Sequence, residues 1–308
     1  MNSSRWTELR SEDLLAGGFA IALVVLGGVR ALGTAVILSD DEFWEIAMIL
    51  APVSVLVFLA AVQYATGGGD ALATVRRITG TVRDWLPFAS FLLFYSSFRN
   101  HLWQLLFRSD RDAQLLAIDR ALLGETPAVW LDRWVRPWLT DAMAAAYFSH
   151  LILPPVLAFA LYRRDRLLFR RLLLAILVAG VIGSVGYLAV PAVGPAVAYP
   201  QLFAHPLHGG LFAPLSTLMD AARAPRDVFP SLHVGVSAVV LWYAYRRGKV
   251  WFWLFLPWVM GNWAATLYLR YHYSIDVLAG WAVAASAIAI TEALLRLEAR
   301  RSSTTAKA

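Results

Sequence analysis

The sequence predicts an all-α fold, a polytopic membrane helical bundle of about eight transmembrane helices, and three observations support this prediction. Hydrophobic residues make up 59% of the 308 residues and charged residues only 16%. The mean hydropathy is +0.59, and such a composition excludes an ordinary soluble globular protein. Apolar runs long enough to cross a bilayer follow one another along the chain, and arginines gather between them.

The eight spans are placed from the lengths of the apolar runs and the polar residues that bound them. They cover approximately residues 14–38, 43–65, 85–107, 139–162, 172–190, 230–245, 250–269 and 274–297. A cleaved signal peptide is the alternative interpretation of the first run. That run is longer than the apolar part of a signal peptide, and no clear cleavage site of small residues follows it.

Two of the segments that connect the spans are long, and the composition of each predicts its structure. Residues 109–138 mix charges with leucine and tryptophan, which predicts an interfacial helical segment lying flat on the membrane. Residues 191–229, rich in proline, glycine and alanine, predict a long loop. We therefore expect one membrane-embedded domain over residues 14–298, between a polar N-terminal segment 1–13 and a tail 299–308.

The basic residues predict the orientation of the bundle. Well over half of the 27 Lys and Arg residues fall at the chain ends and in the loops on their side of the membrane. By the positive-inside rule both termini are cytoplasmic, and the loop 191–229 is extracytoplasmic, in a plasma (inner) membrane protein. The net charge of +6 therefore reflects topology, and without a nucleic-acid motif it predicts no nucleic-acid partner. Cysteine is absent, which excludes disulfides, thiolate nucleophiles and Cys-ligated metals.

The first candidate site motif is the stretch Val-Phe-Pro-Ser-Leu-His-Val at residues 228–234, where an apolar helix is predicted to begin. Pro230 suits the first turn of a helix, and the free N–H groups there form an anion site. Ser231 adds a hydroxyl donor and His233 an imidazole.

The second motif is His-Tyr-Ser-Ile-Asp at residues 272–276. His272 and Asp276 are four residues apart, so on a helix they share a face, and the carboxylate can hold the imidazole in one tautomer. A helical hairpin separates the two motifs, so the predicted topology brings both to the extracytoplasmic side. Two histidines, one oriented by a carboxylate, beside an anion site indicate phosphoryl transfer.

These residues and their neighbours also allow other roles. Two histidines and one carboxylate can bind a metal, but a serine at a helix start fits an oxyanion better, so we expect no metal and no cofactor. Glycines 180, 183 and 186 lie inside an apolar span, where close helix packing explains them better than a phosphate loop. Packing or hydrogen bonding is the expected role of the remaining histidines, which are His101, His150, His205 and His208.

The paired motifs Pro-Ser-x-His and His-x-x-x-Asp resemble the second and third motifs of the type-2 phosphatidic acid phosphatase superfamily. The resemblance covers roughly residues 85–298 and is closest to the inositol phosphorylceramide synthase branch. Four stretches resemble that branch, namely residues 229–233, residues 265–273, Ile118-Asp119-Arg120 with Gly124, and Tyr147-Phe148-Ser149-His150. The resemblance to the superfamily implies a phosphatase-type core of six helices.

The resemblance also implies roles for single residues. His272 would be the nucleophile that forms a phosphohistidine, Asp276 its orienting carboxylate, His233 the general acid and Ser231 a phosphate ligand. The implied activity is that of a metal-independent lipid phosphatase or phosphotransferase acting on a phospholipid or lipid phosphate headgroup. Water or an alcohol or polyol acceptor would complete the reaction. A membrane transporter and a non-catalytic scaffold are the alternatives, and the sequence leaves the lipid, the choice between hydrolysis and transfer, and the oligomeric state open.

The sequence departs from the superfamily where that family usually carries phosphate-binding cations. The Ser-Arg pair that opens the third motif is Ala265-Thr266 here, and the basic residues of the first motif fall on Tyr187 and Gly194. A phosphate in a partly dry site still requires a cation. The candidate substrate-binding cations on the expected side of the membrane are Arg99, Arg226 and Arg270.

Overall fold

The computed structural model describes residues 10, 11, 15, 80–92, 109–222 and 226–305. Two compact units divide the chain, one formed by residues 1–100 with 294–308 and the other by residues 101–293. Apart from residue 15, the predicted spans 14–38 and 43–65 lie outside the described residues, as does most of the span 85–107 with Arg99 and His101. In the first unit, residues 80–92 are helical, so this helix begins before the predicted start of the third span.

The second unit carries both motifs, and its described residues form helices and turns without strands. The prediction of an all-helical fold is therefore confirmed for the described part of the chain. The helices are α1 (Asp112–Leu123), α2 (Pro127–Asp132), α3 (Pro137–Arg164), α4 (Arg166–Ala189), α5 (Pro195–Ala198), α6 (Phe212–Ala222), α7 (Leu232–Arg247), α8 (Lys249–Tyr268) and α9 (Ser274–Thr305).

Three of the described helices are long and apolar enough to cross a membrane, as judged by length and composition. They are Pro137–Arg164, Arg166–Ala189 and Ser274–Arg301. This agrees with a membrane protein, whereas the count of about eight spans stays a prediction. The segment 191–229 is partly helical, because Asp141 of α3 accepts hydrogen bonds from the N–H groups of Gly210, Leu211 and Phe212 at the start of α6.

Close packing on α4 fixes where α7 begins. A Cβ atom added at Gly183 would collide with the side chain of Leu232, and one added at Gly186 with the ring of Pro230. Both glycines therefore let the chain before and at the start of α7 lie directly on α4. This confirms the packing interpretation of these two glycines.

A second glycine contact joins α7 to α9. A Cβ at Gly280 would lie 2.6 Å from the Ser231 carbonyl oxygen and 2.9 Å from the Val234 Cβ, and one at Gly235 would lie 3.2 Å from the Gly280 oxygen. The Ser231 N–H also donates to the Asp276 carbonyl oxygen at 3.1 Å. The two motifs therefore meet at this helix crossing, although Ser231 and Asp276 lie 45 positions apart in the sequence.

Candidate active site

The start of α7 differs from the sequence prediction by two residues. The helix begins at Leu232 with Ser231 as its N-cap, and Ser231 Oγ accepts from the Val234 N–H at 3.4 Å. Pro230 therefore precedes the helix and does not occupy its first turn, and the Phe229–Pro230 peptide bond is cis. A serine is a strong N-cap residue, which explains why the helix starts after it.

The expected anion site of free N–H groups is largely closed. The Ser231 N–H bonds to the carbonyl of Asp276, the Leu232 N–H bonds to the hydroxyl of Tyr187, and the Val234 N–H bonds to Ser231 Oγ. Internal partners thus take up three donors that an anion would need. Tyr187, which stands where the superfamily has a basic residue, is one of those partners.

His272 lies between α8 and α9 and not on a helix, so the shared helical face that its spacing from Asp276 would give does not form. Helix α8 ends at Tyr268 and α9 starts at Ser274. The Arg270 N–H bonds to the Leu267 oxygen at 3.1 Å, and the Tyr271 N–H bonds to the Thr266 oxygen at 3.0 Å. This pair of bonds is the Schellman motif, and Arg270 occupies its left-handed position with φ of 64°.

The carboxylate of Asp276 nevertheless reaches His272. Asp276 Oδ2 accepts from the Tyr273 N–H at 2.8 Å and lies 3.4 Å from His272 Nδ1. A carboxylate in the first turn that bonds back to the residue before the helix is half of a capping box. The start of α9 thus fixes the carboxylate, and the turn brings the imidazole to it.

The nitrogen His272 Nε2 is the point where the two motifs meet. It lies 3.2 Å from Ser231 Oγ and 3.4 Å from His233 Nδ1. Ser231, His272 and Asp276 are buried, whereas His233 is half-buried. The structure therefore brings together four residues that the sequence singled out, with the outer nitrogen of His272 facing a hydroxyl and a second imidazole.

Helix α3 contributes two further groups beside His233. The Tyr147 hydroxyl is 2.8 Å from His233 Nε2, and the His150 ring packs edge-on against the His233 ring with centroids 4.4 Å apart. His150 Nδ1 also lies 2.6 Å from the Tyr147 carbonyl oxygen. The expectation of a hydrogen-bonding role for His150 agrees with this contact, although the contact also places His150 next to the candidate site.

Arg270 is engaged by other parts of the protein. Its Nη2 donates to Asp132 Oδ1 at 2.7 Å and to the His205 carbonyl oxygen at 2.5 Å, and the guanidinium lies 4.3 Å from the ring centroid of Phe203. Burial opposes ionisation of Asp132, but hydrogen bonds from His205 and the Ala204 N–H, with the Arg270 charge, outweigh it and lower its pKa. Arg270 thus ties the turn before His272 to α2.

The other two candidate phosphate-binding cations are Arg226 and Arg99. Arg226 donates to both carboxylate oxygens of Asp110, through Nε and through Nη2, the latter at 3.2 Å. Arg99 lies outside the described residues. Both described candidates therefore form ion pairs with aspartates.

Two buried carboxylates on α1, Asp112 and Asp119, were given no role in the sequence analysis, although Asp119 lies in a stretch that resembles the inositol phosphorylceramide synthase branch. Asp112 accepts from the N–H groups of Val193 and Gly194, at 3.0 and 2.9 Å, and from the Tyr273 hydroxyl at 2.9 Å. Burial raises the pKa of Tyr273, with a further contribution from the Asp112 charge, so the phenol remains a donor. Asp112 thus joins the segment after α4 to the turn that holds His272.

Asp119 supports the start of α9. It accepts from the N–H groups of Ser274 and Ile275, at 3.0 and 3.3 Å, and from the Ser274 hydroxyl. A signal for both carboxylates was present in the sequence. Asp112 and Asp119 are seven residues apart and share a buried face with Leu115 and Leu116, and acids at such positions need polar partners.

Gly194 shows why the sequence departs from the first superfamily motif. Its φ is +88°, and a Cβ at this position would lie 2.5 Å from the Tyr271 carbonyl oxygen. An arginine here would strain the backbone and collide with the turn before His272. Among the described residues, no group of three or more His, Asp or Glu side chains could hold a metal ion.

The described residues are helical and place a hydroxyl and a second imidazole beside the buried nitrogen His272 Nε2, which are features of a phosphatase-type membrane protein. The chain belongs to the PAP2 superfamily, because residues 113–290, more than half of its length, match the model of that family. This match spans both motifs and α3. No curated protein and no solved structure matches the chain.

Proposed function

We propose that this protein is an integral-membrane lipid phosphatase or phosphotransferase that works through a phosphohistidine at His272. The observation that carries the proposal is the convergence on His272 Nε2, which lies 3.2 Å from Ser231 Oγ and 3.4 Å from His233 Nδ1. When Nδ1 of an imidazole carries the proton and faces a carboxylate, Nε2 carries a lone pair that can act as the nucleophile. Membership of the PAP2 superfamily supports the reaction class.

In the first half-reaction His272 Nε2 attacks phosphorus, an N–P bond forms and the P–O bond to the leaving group breaks. His233 gives the Nδ1 proton to the departing oxygen. The proton on His272 Nδ1 stays between the ring and Asp276 Oδ2, 3.4 Å away, so the carboxylate offsets the positive charge of the phosphorylated ring.

The second half-reaction returns the enzyme to its starting state. Water or the hydroxyl of an alcohol or polyol attacks phosphorus, His233 Nδ1 takes its proton, and the N–P bond breaks. Ser231 Oγ, beside the attacked nitrogen, donates to a phosphoryl oxygen. Each group returns to its original protonation state, so the cycle requires neither a metal nor a redox partner.

The proposed substrate is a phospholipid or lipid phosphate headgroup that enters from the extracytoplasmic leaflet of the plasma membrane. The apolar bundle, the positive-inside count and the resemblance to the inositol phosphorylceramide synthase branch support this placement. We retain Arg99 as the candidate phosphate cation. Arg226 and Arg270 already pair with Asp110 and Asp132, so either one would have to leave its aspartate to bind phosphate.

The test combines product analysis with trapping of the intermediate. Purified protein is incubated with a panel of phospholipids, with and without polyols, and the products are read by mass spectrometry. A brief reaction with ³²P-labelled substrate should label the wild type with acid-labile phosphohistidine and leave His272→Ala unlabelled. His208→Ala is the matched control, because this exposed imidazole bonds only locally, to the Pro206 oxygen. Full turnover in His272→Ala would refute the mechanism, and lipid transport that survives this change would favour a transporter.

A further inference from the structure

Tyr147 contacts the nitrogen of His233 that does not face His272. Its hydroxyl oxygen is 2.8 Å from His233 Nε2 and 3.4 Å from Nδ1, whereas His272 Nε2 is 3.4 Å from Nδ1. The rings of Tyr147 and His233 also stack at a tilt, with centroids 4.6 Å apart. The phenol therefore holds one ring nitrogen while the other faces the nucleophile.

The rest of the protein holds Tyr147 in place. Its side chain is buried, and its carbonyl oxygen accepts from Asn262 Nδ2 at 2.9 Å as well as from His150. The ring of Tyr271, in the turn before His272, lies 5.1 Å away between centroids. A group fixed by both α3 and α8 can define the orientation of a half-buried imidazole beside it.

The protonation states follow from the role of general acid that the proposed function gives to His233. His233 must carry a proton on Nδ1 to serve the leaving oxygen, and as an imidazolium it also carries one on Nε2. The Tyr147 oxygen can accept that Nε2 proton, both before and after Nδ1 has given up its own. Without the phenol, the neutral ring can carry its single proton on either nitrogen. In the molecules that carry it on Nδ1, this nitrogen can no longer accept a proton from water or the acceptor.

We propose that Tyr147 is a positioning residue for His233, whose Nε2–H it holds so that Nδ1 is the nitrogen that exchanges protons with substrate. This rests on the proposed function, in which His233 is the general acid. Among the described residues, the titratable groups whose rings pack against His233 are Tyr147 and His150 from α3 and His272 from the turn before α9. Of these, only Tyr147 bonds to Nε2 in the described residues.

The kinetic test uses Tyr147→Phe, which removes only the hydroxyl. We expect kcat to fall by about tenfold or more with little change in KM, since a misoriented general acid affects the chemical step. The basic limb of the pH–rate profile should move to lower pH, because the imidazolium loses the acceptor that favours it. A p-nitrophenyl phosphate ester needs less help from an acid than an alkyl phosphate, so its turnover should fall less.

Tyr268→Phe is the matched control. It removes the hydroxyl of a buried tyrosine on α8 that contacts Thr140 Oγ1 at 2.9 Å and accepts from the Arg136 N–H at 3.4 Å. We expect this variant to keep the wild-type pH profile and the wild-type ratio of rates for the two substrates. Equal losses on both substrates in Tyr147→Phe, with an unshifted pH profile, would overturn the proposal, because they would indicate a structural defect alone.

A second measurement separates this proposal from the function on which it rests. Nitrogen NMR of protein labelled at the histidine rings reports the tautomer without turnover, and the His233 signal is assigned by its loss in His233→Gln. We expect neutral His233 to carry its proton on Nε2 in the wild type and to become a tautomer mixture in Tyr147→Phe. If neutral His233 of the wild type carries its proton on Nδ1, the proposal for Tyr147 is overturned. If it carries the proton on Nε2 but His272→Ala keeps full activity, only the proposed function is rejected.

Discussion

Arg270 and Asp132 form a buried ion pair, with Nη2 and Oδ1 2.7 Å apart, that joins the turn before His272 to helix α2. Arg270 adopts φ of 64°, a conformation that costs an L-residue roughly 1–2 kcal/mol. The pair, the His205 carbonyl and the ring of Phe203 offset that cost by holding the side chain. One of the three arginines considered as phosphate ligands is therefore engaged in shaping the backbone that presents His272.

Removing either partner should lower both the stability of the protein and its turnover rate. We expect Arg270→Ala and Asp132→Asn each to lower the free energy of unfolding by about 3 kcal/mol, since each leaves a buried charge unpaired. The double variant should lose far less than the sum of the two. Thermal unfolding in detergent and steady-state kinetics measure both effects. If Arg270→Ala raises KM without loss of stability and Asp132→Asn is fully active, Arg270 binds phosphate after all.

The same pair predicts a pH dependence of stability. The pKa of Asp132 is lowered in the folded protein, so its stabilising contribution is present above the unfolded carboxyl pKa of about 3.9 and is lost as the pH falls through the folded value. The difference in melting temperature between wild type and Asp132→Asn should therefore be constant from neutral pH to about pH 5 and should shrink below about pH 4. A difference that stays constant down to pH 2 would contradict the charged pair.

Replacing Asp276 should reduce turnover less than replacing His272. His272→Ala removes the proposed nucleophile and should abolish turnover, whereas Asp276→Asn keeps a hydrogen-bonding side chain beside the imidazole and should leave a trace. Asn at position 276 can still accept the Tyr273 N–H through its amide oxygen, so the start of α9 should stay intact. Circular dichroism serves as the control for folding. Asp276→Asn at the wild-type rate would exclude an orienting role for the carboxylate.

The glycine contact between α7 and α9 should be intolerant of a methyl group. In Gly280→Ala the new Cβ would meet the Ser231 oxygen at 2.6 Å, which is backbone and cannot rotate away. We expect a loss of about 1–3 kcal/mol of stability and a fall in kcat as Ser231 and His272 separate. Gly210→Ala is the control, because its Cβ would meet only Asp141 Oδ2, at 3.9 Å. Wild-type kcat in Gly280→Ala would show that this contact does not set the geometry.

Topology can be tested with single cysteines, since the chain has none. Ala213 on α6 and Lys249 at the start of α8 are both exposed, and Lys249 avoids the positive φ of Gly248. An impermeant thiol reagent should label Ala213→Cys in intact cells, and should label Lys249→Cys only after permeabilisation. The reverse pattern would place the histidines on the cytoplasmic face.

Local signals explain why the helices could be predicted from the sequence. Apolar length placed both ends of α3 and α8 to within two residues, because burial of an apolar run in a bilayer requires a helix whatever its neighbours are. Helix α4 begins six residues before its predicted span, and α9 ends eight residues after its predicted span. The start of α7 was placed two residues early, because proline and serine both favour a helix start and only the observed cap decides between them.

The sequence by itself determined the fold class and the pairing of Ser231 and His233 with His272 and Asp276, since composition and motif spacing carry this information. Only the tertiary structure decided that Arg270 bonds Asp132, that Tyr187 occupies a donor of α7, and that Asp112 and Asp119 hold the turn before α9. These contacts join residues from about 45 to more than 160 positions apart. Side-chain partners at such separations depend on how the helices pack, and a single sequence does not encode that packing in any local pattern.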